Sequence, residues 1–113
     1  MSIRRNATRV ARLKTKQTSE KEDRLLLLFS ALANATRLRA LCLLYENGEL
    51  CLCDIVEALG ATQSRASRHM AALVRAGILL DRRQDQWVRY RINKKMPKYL
   101  KAQIEVAISA LPK

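Results

Sequence analysis

The run Thr62-Gln63-Ser64-Arg65-Ala66-Ser67-Arg68-His69-Met70 gathers short polar and long cationic side chains directly after a turn-forming Gly60-Ala61. A Gln amide pairs bidentately with adenine, an Arg guanidinium with guanine, and a Ser hydroxyl with either a base or a phosphate. Gln63, Ser64, Arg65, Ser67, Arg68 and His69 therefore carry the chemistry of reading base-pair edges. His69 is the chain's single histidine and has no Ser/Asp partner set nearby, so it reads as a phosphate or base contact and not as a catalytic base. A second constellation stands upstream, where Glu49-Leu50-Cys51-Leu52-Cys53-Asp54 places two thiols two residues apart. Thiolates chelate soft, thiophilic ions or take part in disulfide exchange. Redox enzymes more commonly space such a pair Cys-x-x-Cys at a helix start within an α/β unit, and no such unit precedes this one.

Hydrophobic spacing supplies the elements that must hold these groups. Leu25, Leu28, Phe29 and Leu32 fall at i, i+3, i+4 and i+7, one face of a helix. Leu26 and Leu27 make that helix apolar nearly all round, which predicts burial against a second chain. After a break at Asn34 or Ala35, Leu38, Leu41, Cys42 and Tyr45 form a second helical face that ends at Asn47-Gly48. Asp54–Leu59, closed by Gly60, makes a third helix, and Thr62 caps a fourth over Gln63–Ala76 with Ala66, Met70, Leu73 and Val74 as its apolar stripe. The period then changes: Ile78-Leu79-Leu80 and Trp87–Ile92 flank the polar Asp81–Gln86, a β-hairpin in which Arg82, Arg83 and Arg89 can reach phosphates. Pro97 opens a last helix with Leu100, Ile104, Ala107, Ile108 and Leu111 on one stripe. Two short helices around a three-residue turn, then a basic hairpin, are the layout of a winged helix-turn-helix. The fold class is mainly α with one β-hairpin.

Charge supports that layout. The 113 residues hold 22 Lys and Arg against 10 Asp and Glu, a formal charge of +12. Residues 1–18 contribute +6 and residues 60–95 contribute +7, whereas residues 19–59 are net −3. A concentrated excess of this kind is the electrostatic footprint of a nucleic-acid binder. Residues 1–18 are read as a basic arm, either a frayed helix or a mobile segment, and residues 19–113 as one DNA-binding and dimerisation domain. No apolar stretch approaches the roughly 20 residues needed to cross a membrane. Arg4-Arg5 is not followed by an apolar run of the kind a secretory signal carries. With three cysteines, an odd number, the expectation is a cytoplasmic protein with reduced thiols and no disulfide framework.

The Glu-Leu-Cys-x-Cys-Asp run, Ser67-Arg68-His69-Met70, Gly77–Gln84 and Gln86–Arg91 together resemble the ArsR/SmtB family of metal-sensing winged-helix repressors, nearest its arsenite-responsive branch. The resemblance covers roughly residues 28–92. It implies a transcriptional repressor, not an enzyme, that binds double-stranded operator DNA as a homodimer joined by its first and last helices. Leu25, Leu28, Leu32, Leu100, Ile104 and Ile108 are then the expected interface. The arsenite branch uses a Cys-x-Cys-x-x-Cys run in which trivalent arsenic or antimony takes three thiolates. Cys51 and Cys53 match its first two positions and Val56 stands at the third, leaving a small-molecule thiol, solvent or Cys42 as the remaining ligand, with Cys42 better placed as a structural core residue. Cadmium and lead sensors need further cysteines from the N-terminal segment, and residues 1–41 contain none. Zinc and nickel sensors use His/Asp/Glu sites on the last helix, where Met96–Lys113 offers only Glu105.

The resemblance thus implies derepression, with arsenite or antimonite as the inducer and no group permanently bound. In a regular helix residues i and i+2 face apart, so convergence of Cys51 and Cys53 on one ion is expected to distort the start of the third helix and, through it, the reading helix. The alternative is a winged-helix regulator whose cysteines are idle or answer to another soft metal or to oxidation.

Overall fold

The computed structural model describes Leu13 and residues 19–112; the predicted arm at residues 1–18 lies, Leu13 apart, outside them. Helix α1 spans Glu20–Leu32. Ser19 caps it by accepting the Glu22 N–H, and Glu20, Glu22 and Asp23 sit in its first turn, where acidic groups complement the helix dipole. Asn34 caps α2, Ala35–Asn47, through the Arg37 N–H. A two-residue strand β1, Leu50–Cys51, runs into α3, Leu52–Leu59. Gly60 closes α3 at φ +65°, a left-handed conformation that glycine adopts without a Cβ penalty. Thr62 then caps α4, Gln63–Arg75, by accepting the Arg65 N–H. Strands β2, Leu79–Gln84, and β3, Trp87–Ile92, form the hairpin, and α5, Lys98–Ser109, follows Pro97.

The sheet is antiparallel in the order β1-β3-β2. β2 pairs with β3 from Leu79 opposite Ile92 out to Gln84 opposite Trp87. The strand therefore continues through Asp81–Gln84, and the hairpin turn is only Asp85-Gln86, with Asp85 at φ +55°. That is shorter than the polar middle read from the sequence. Beyond Leu79 every residue of β2 is exposed, so no apolar alternation marks the outer part of the wing as strand.

One core joins all these elements. Leu28, Leu41, Leu44, Ile55, Met70, Leu73, Ile78, Leu79, Leu100 and Ile104 are fully buried in it. α3 and α4 cross at the turn and pack on each other, and α4 also touches α1, α2 and β2. The predicted interface set needs correction on this point. Leu28, Leu100 and Ile104 have no exposed surface and Leu32 has 9%, so their side chains are spent on the protomer's own core. Leu25 and Ile108 are half-buried, and the apolar groups left facing solvent are Leu26, Leu27 and Phe29 on α1 and Val106 on α5. Among the described residues no single helix is long and apolar enough to cross a membrane.

Candidate nucleic-acid interface and thiol site

The Thr62 cap and the Ala66, Met70 and Leu73 stripe fix the rotation of α4, because the stripe is fully buried. That leaves Gln63, Ser64, Arg65 and Arg68 exposed at the N-terminal half of the helix, with Ser67 half-buried beside them. Backbone N–H groups at this helix start add a further anion-binding element. His69 is placed differently from its neighbours. Its Nδ1 accepts a hydrogen bond from Arg37 Nε at 3.1 Å, so only Nε2 remains for any other partner. Burial, then the Arg37, Arg65 and Arg68 cations, pushes its pKa below the ordinary histidine value.

In the wing the three predicted arginines are not equivalent. Arg83 is exposed and among the described residues makes no ion pair. Arg89 is half-buried on β3, opposite Arg82 on one side and Cys51 on the other. Arg82 is held by Glu49 at 2.5 Å and also donates to Gln84 Oε1 at 3.3 Å. The Arg82 hydrogen bond, with Arg82, Arg89 and Arg91 as nearby cations, holds the Glu49 carboxyl below the usual carboxylate range. Glu49 thus offsets repulsion between cations that sit across from each other in the ladder. Sequence reading missed this role because the two partners lie 33 residues apart.

The thiol site lies where β1 becomes α3. Cys51 is the N-cap residue of α3, in extended conformation; its Sγ accepts the Asp54 N–H at 3.2 Å while Asp54 Oδ2 accepts the Cys51 N–H at 3.1 Å. Cys53, in the first turn, is joined to Cys51 by a disulfide with the Cα atoms 5.2 Å apart. Two expectations change here. The pair is bridged and not reduced, although a bridge between residues two apart ties no distant parts of the fold together and makes no disulfide framework. The two sulfurs also meet without distorting α3, since an extended N-cap residue is not bound by the helical i, i+2 geometry. Cys51, Cys53 and Asp54 place their donor atoms within 4.8 Å of one another.

Cys42 is not part of this cluster. It is half-buried and lines a cleft of about 570 Å³ with Leu38, Glu46, Ala58, Leu59 and Leu111, at the C-terminal end of α3, whereas Cys51 sits at its N-terminal end. Burial first, then Glu46, pushes the Cys42 thiol pKa up, which disfavours the thiolate that a soft ion requires. Val56, at the third position of the sequence motif, is half-buried and offers no donor. The donor set supplied by this chain is therefore two soft sulfurs, plus a carboxylate oxygen already engaged in the α3 cap.

A helix-turn-helix with an exposed polar reading face, followed by a basic two-stranded wing, defines a winged-helix DNA-binding protein. Residues 34–79 match the profile described as bacterial regulatory protein, arsR family. The arsenic resistance transcriptional regulator ArsR2 of Pseudomonas putida is 43% identical over 83 residues, covering 74% of this chain and 72% of that protein. The arsenical resistance operon repressor of Escherichia coli is 50% identical over 70 residues, which is 62% of this chain and 60% of that protein. Among solved structures, a homodimeric winged helix-turn-helix DNA-binding domain from Mycobacterium bovis superposes with a TM-score of 0.68 at 27% identity, covering 88% of this chain and 93% of that one. The AntR antimony-specific transcriptional repressor gives 0.65 at 27% identity, covering 88% and 87%. The chain belongs to the ArsR family: it is a DNA-binding transcriptional regulator and not an enzyme.

Proposed function

We propose that this protein is a homodimeric repressor of an arsenical-resistance type that holds double-stranded operator DNA and releases it when Cys51 and Cys53 coordinate trivalent arsenic or antimony. The observation that carries the reading is the position of the two sulfurs: Cys51 caps the helix packed on the reading helix and ends a strand paired with the wing, and Cys53 stands in the first turn of that helix. The relatives named for arsenical resistance and for antimony favour a soft trivalent metalloid over other thiophilic ions. The exposed Leu26, Leu27, Phe29 and Val106 supply an apolar face for a second copy, and the Mycobacterium bovis relative is homodimeric. In a dimer the two α4 helices would enter successive major grooves about 34–36 Å apart, with Gln63, Ser64, Arg65, Ser67 and Arg68 toward base edges and phosphates. This work belongs in the cytoplasm, where thiols are kept reduced.

The chain's own part in release follows from the cap. Thiolates are the ligand form, so the Cys51–Cys53 bridge must first be reduced. An ion held between the two sulfurs keeps them further apart than the bridge does, and this strains the α3 cap in which Cys51 Sγ accepts the Asp54 N–H. Loss of a side-chain cap costs about 0.5–2 kcal/mol, comparable with the roughly 1–3 kcal/mol typical of coupling between two sites. The strain has two outlets, one through α3 into α4 and one through the Cys51–Arg89 ladder into the wing. The test is arsenite titration of the reduced protein, followed in the near-ultraviolet thiolate–arsenic band. One equivalent per protomer is expected, lost in Cys51→Ser and in Cys53→Ser. A band unaffected by either substitution would refute the assignment.

A further inference from the structure

Arg37 stands at the junction of α1, α2 and α4. Its guanidinium donates from Nε to His69 Nδ1 on α4 at 3.1 Å and from Nη1 to the Ala31 carbonyl in the last turn of α1 at 3.3 Å. Its own backbone N–H is taken up by the Asn34 cap of α2. One half-buried side chain therefore ties the C-terminus of α1, the start of α2 and the middle of the reading helix. We infer that Arg37 is a positioning residue for operator recognition, setting α4 against α1 through His69 and fixing the imidazole as the Nε2–H tautomer. An Nδ1 that accepts carries no proton, so the other ring nitrogen of the neutral ring must be a donor. His69 can then meet only an acceptor, such as a phosphate oxygen or a purine N7. Two properties distinguish this role from a plain phosphate contact. Lysine keeps the charge of Arg37 but lacks the planar fork that reaches two acceptors in fixed directions. Protonation of His69 puts a second donor against the guanidinium, which opposes the tie, although added positive charge near DNA would by itself tighten binding. The charged groups acting on His69 are Arg37 from α2 and Arg65 and Arg68 from its own helix; α1, α3 and β2, which also pack on α4, bring no charged group to bear on it.

The inference rests on the DNA-reading half of the proposed function, and the experiment separates the two. The probe is a fluorescein-labelled duplex selected by the wild-type protein from a random-sequence pool, read by anisotropy at pH 7.5. Failure of the wild type to select any sequence would remove the DNA reading and this inference with it. Arg37→Ala and Arg37→Lys are both expected to bind about tenfold more weakly, the order carried by a hydrogen bond to a charged group. Wild-type affinity for Arg37→Lys would overturn the inference in favour of simple charge. Wild-type affinity should fall a few-fold from pH 7.5 to 5.5, and in His69→Asn that dependence should vanish; an affinity that rises on acidification contradicts the positioning role. Should the Arg37 variants fail to fold, nitrogen-15 spectra of the single wild-type imidazole still decide. An Nε2–H tautomer titrating below ordinary histidine supports the tie, and an Nδ1–H tautomer overturns it.

Discussion

Glu49 restrains Arg82, and removing that restraint should change how strongly salt weakens operator binding. Each phosphate neutralised by a cation contributes about 0.9 to the slope of log affinity against log salt. At pH 7 Glu49 is ionised and paired with Arg82 at 2.5 Å, so Arg82 reaches a phosphate only by giving up that partner, whereas Arg83 is free to do so. In a dimer each wing residue counts twice. Glu49→Gln should therefore steepen the slope by up to about 1.8, and Arg83→Gln should flatten it by about the same amount. Between 50 and 200 mM salt, a fourfold change, a slope difference of about 1.8 is roughly a 12-fold difference in affinity loss. Arg82→Gln should lower the slope by much less than Arg83→Gln. The assay is fluorescence anisotropy on one selected duplex over that salt range, with arsenite absent. Equal slopes for Glu49→Gln and wild type, or equal effects of Arg82→Gln and Arg83→Gln, would refute the idea that Glu49 withholds one wing cation.

Three further outcomes follow from the same structure. Ile55 is fully buried where α3 meets the core, so Ile55→Ala should lower unfolding stability by about 2–5 kcal/mol in urea melts; a loss below about 1 kcal/mol would contradict its burial. Leu26 and Leu27 are 59% and 48% exposed on α1, and replacing both with Glu should shift sedimentation from dimer toward monomer with little change in the protomer's circular dichroism. An unaltered dimer would place the interface elsewhere. The Cys51–Cys53 bridge should make the arsenite response depend on reductant: the oxidised protein should stay on DNA at arsenite concentrations that release the reduced one, and equal release from both would contradict thiolate coordination.

How much of this was legible beforehand depended on range. Local signals served well: the Thr62 cap, the Asn34 break, the Gly60 stop and the buried Ala66, Met70 and Leu73 stripe all act within a few residues. Strand β1 was invisible because two residues show no period, and its pairing partner is β3, far along the chain. The outer wing hid for a different reason, since a strand exposed on both faces needs no apolar alternation. Periodicity shows which side of α1 and α5 is apolar but not which surface covers it, which is why Leu28, Leu32, Leu100 and Ile104 read as interface residues although the protomer's own core buries them. In the thiol site, residue type and spacing marked Cys51 and Cys53. Only the backbone shows that Cys51 is an extended cap, so that the sulfurs converge with α3 intact. Glu49–Arg82 and Arg37–His69 span 33 and 32 residues, beyond the reach of any local pattern.

Two sulfurs at the start of α3 are proposed to control the grip of α4 and the wing on DNA. The most direct test is operator affinity measured with and without arsenite, under reducing conditions, for the wild type and for the Cys51→Ser/Cys53→Ser double variant. Arsenite should cost the wild type roughly 5–150-fold in affinity and leave the double variant unchanged, binding as the arsenite-free wild type does. Equal loss in both proteins, or none in the wild type, would contradict that control.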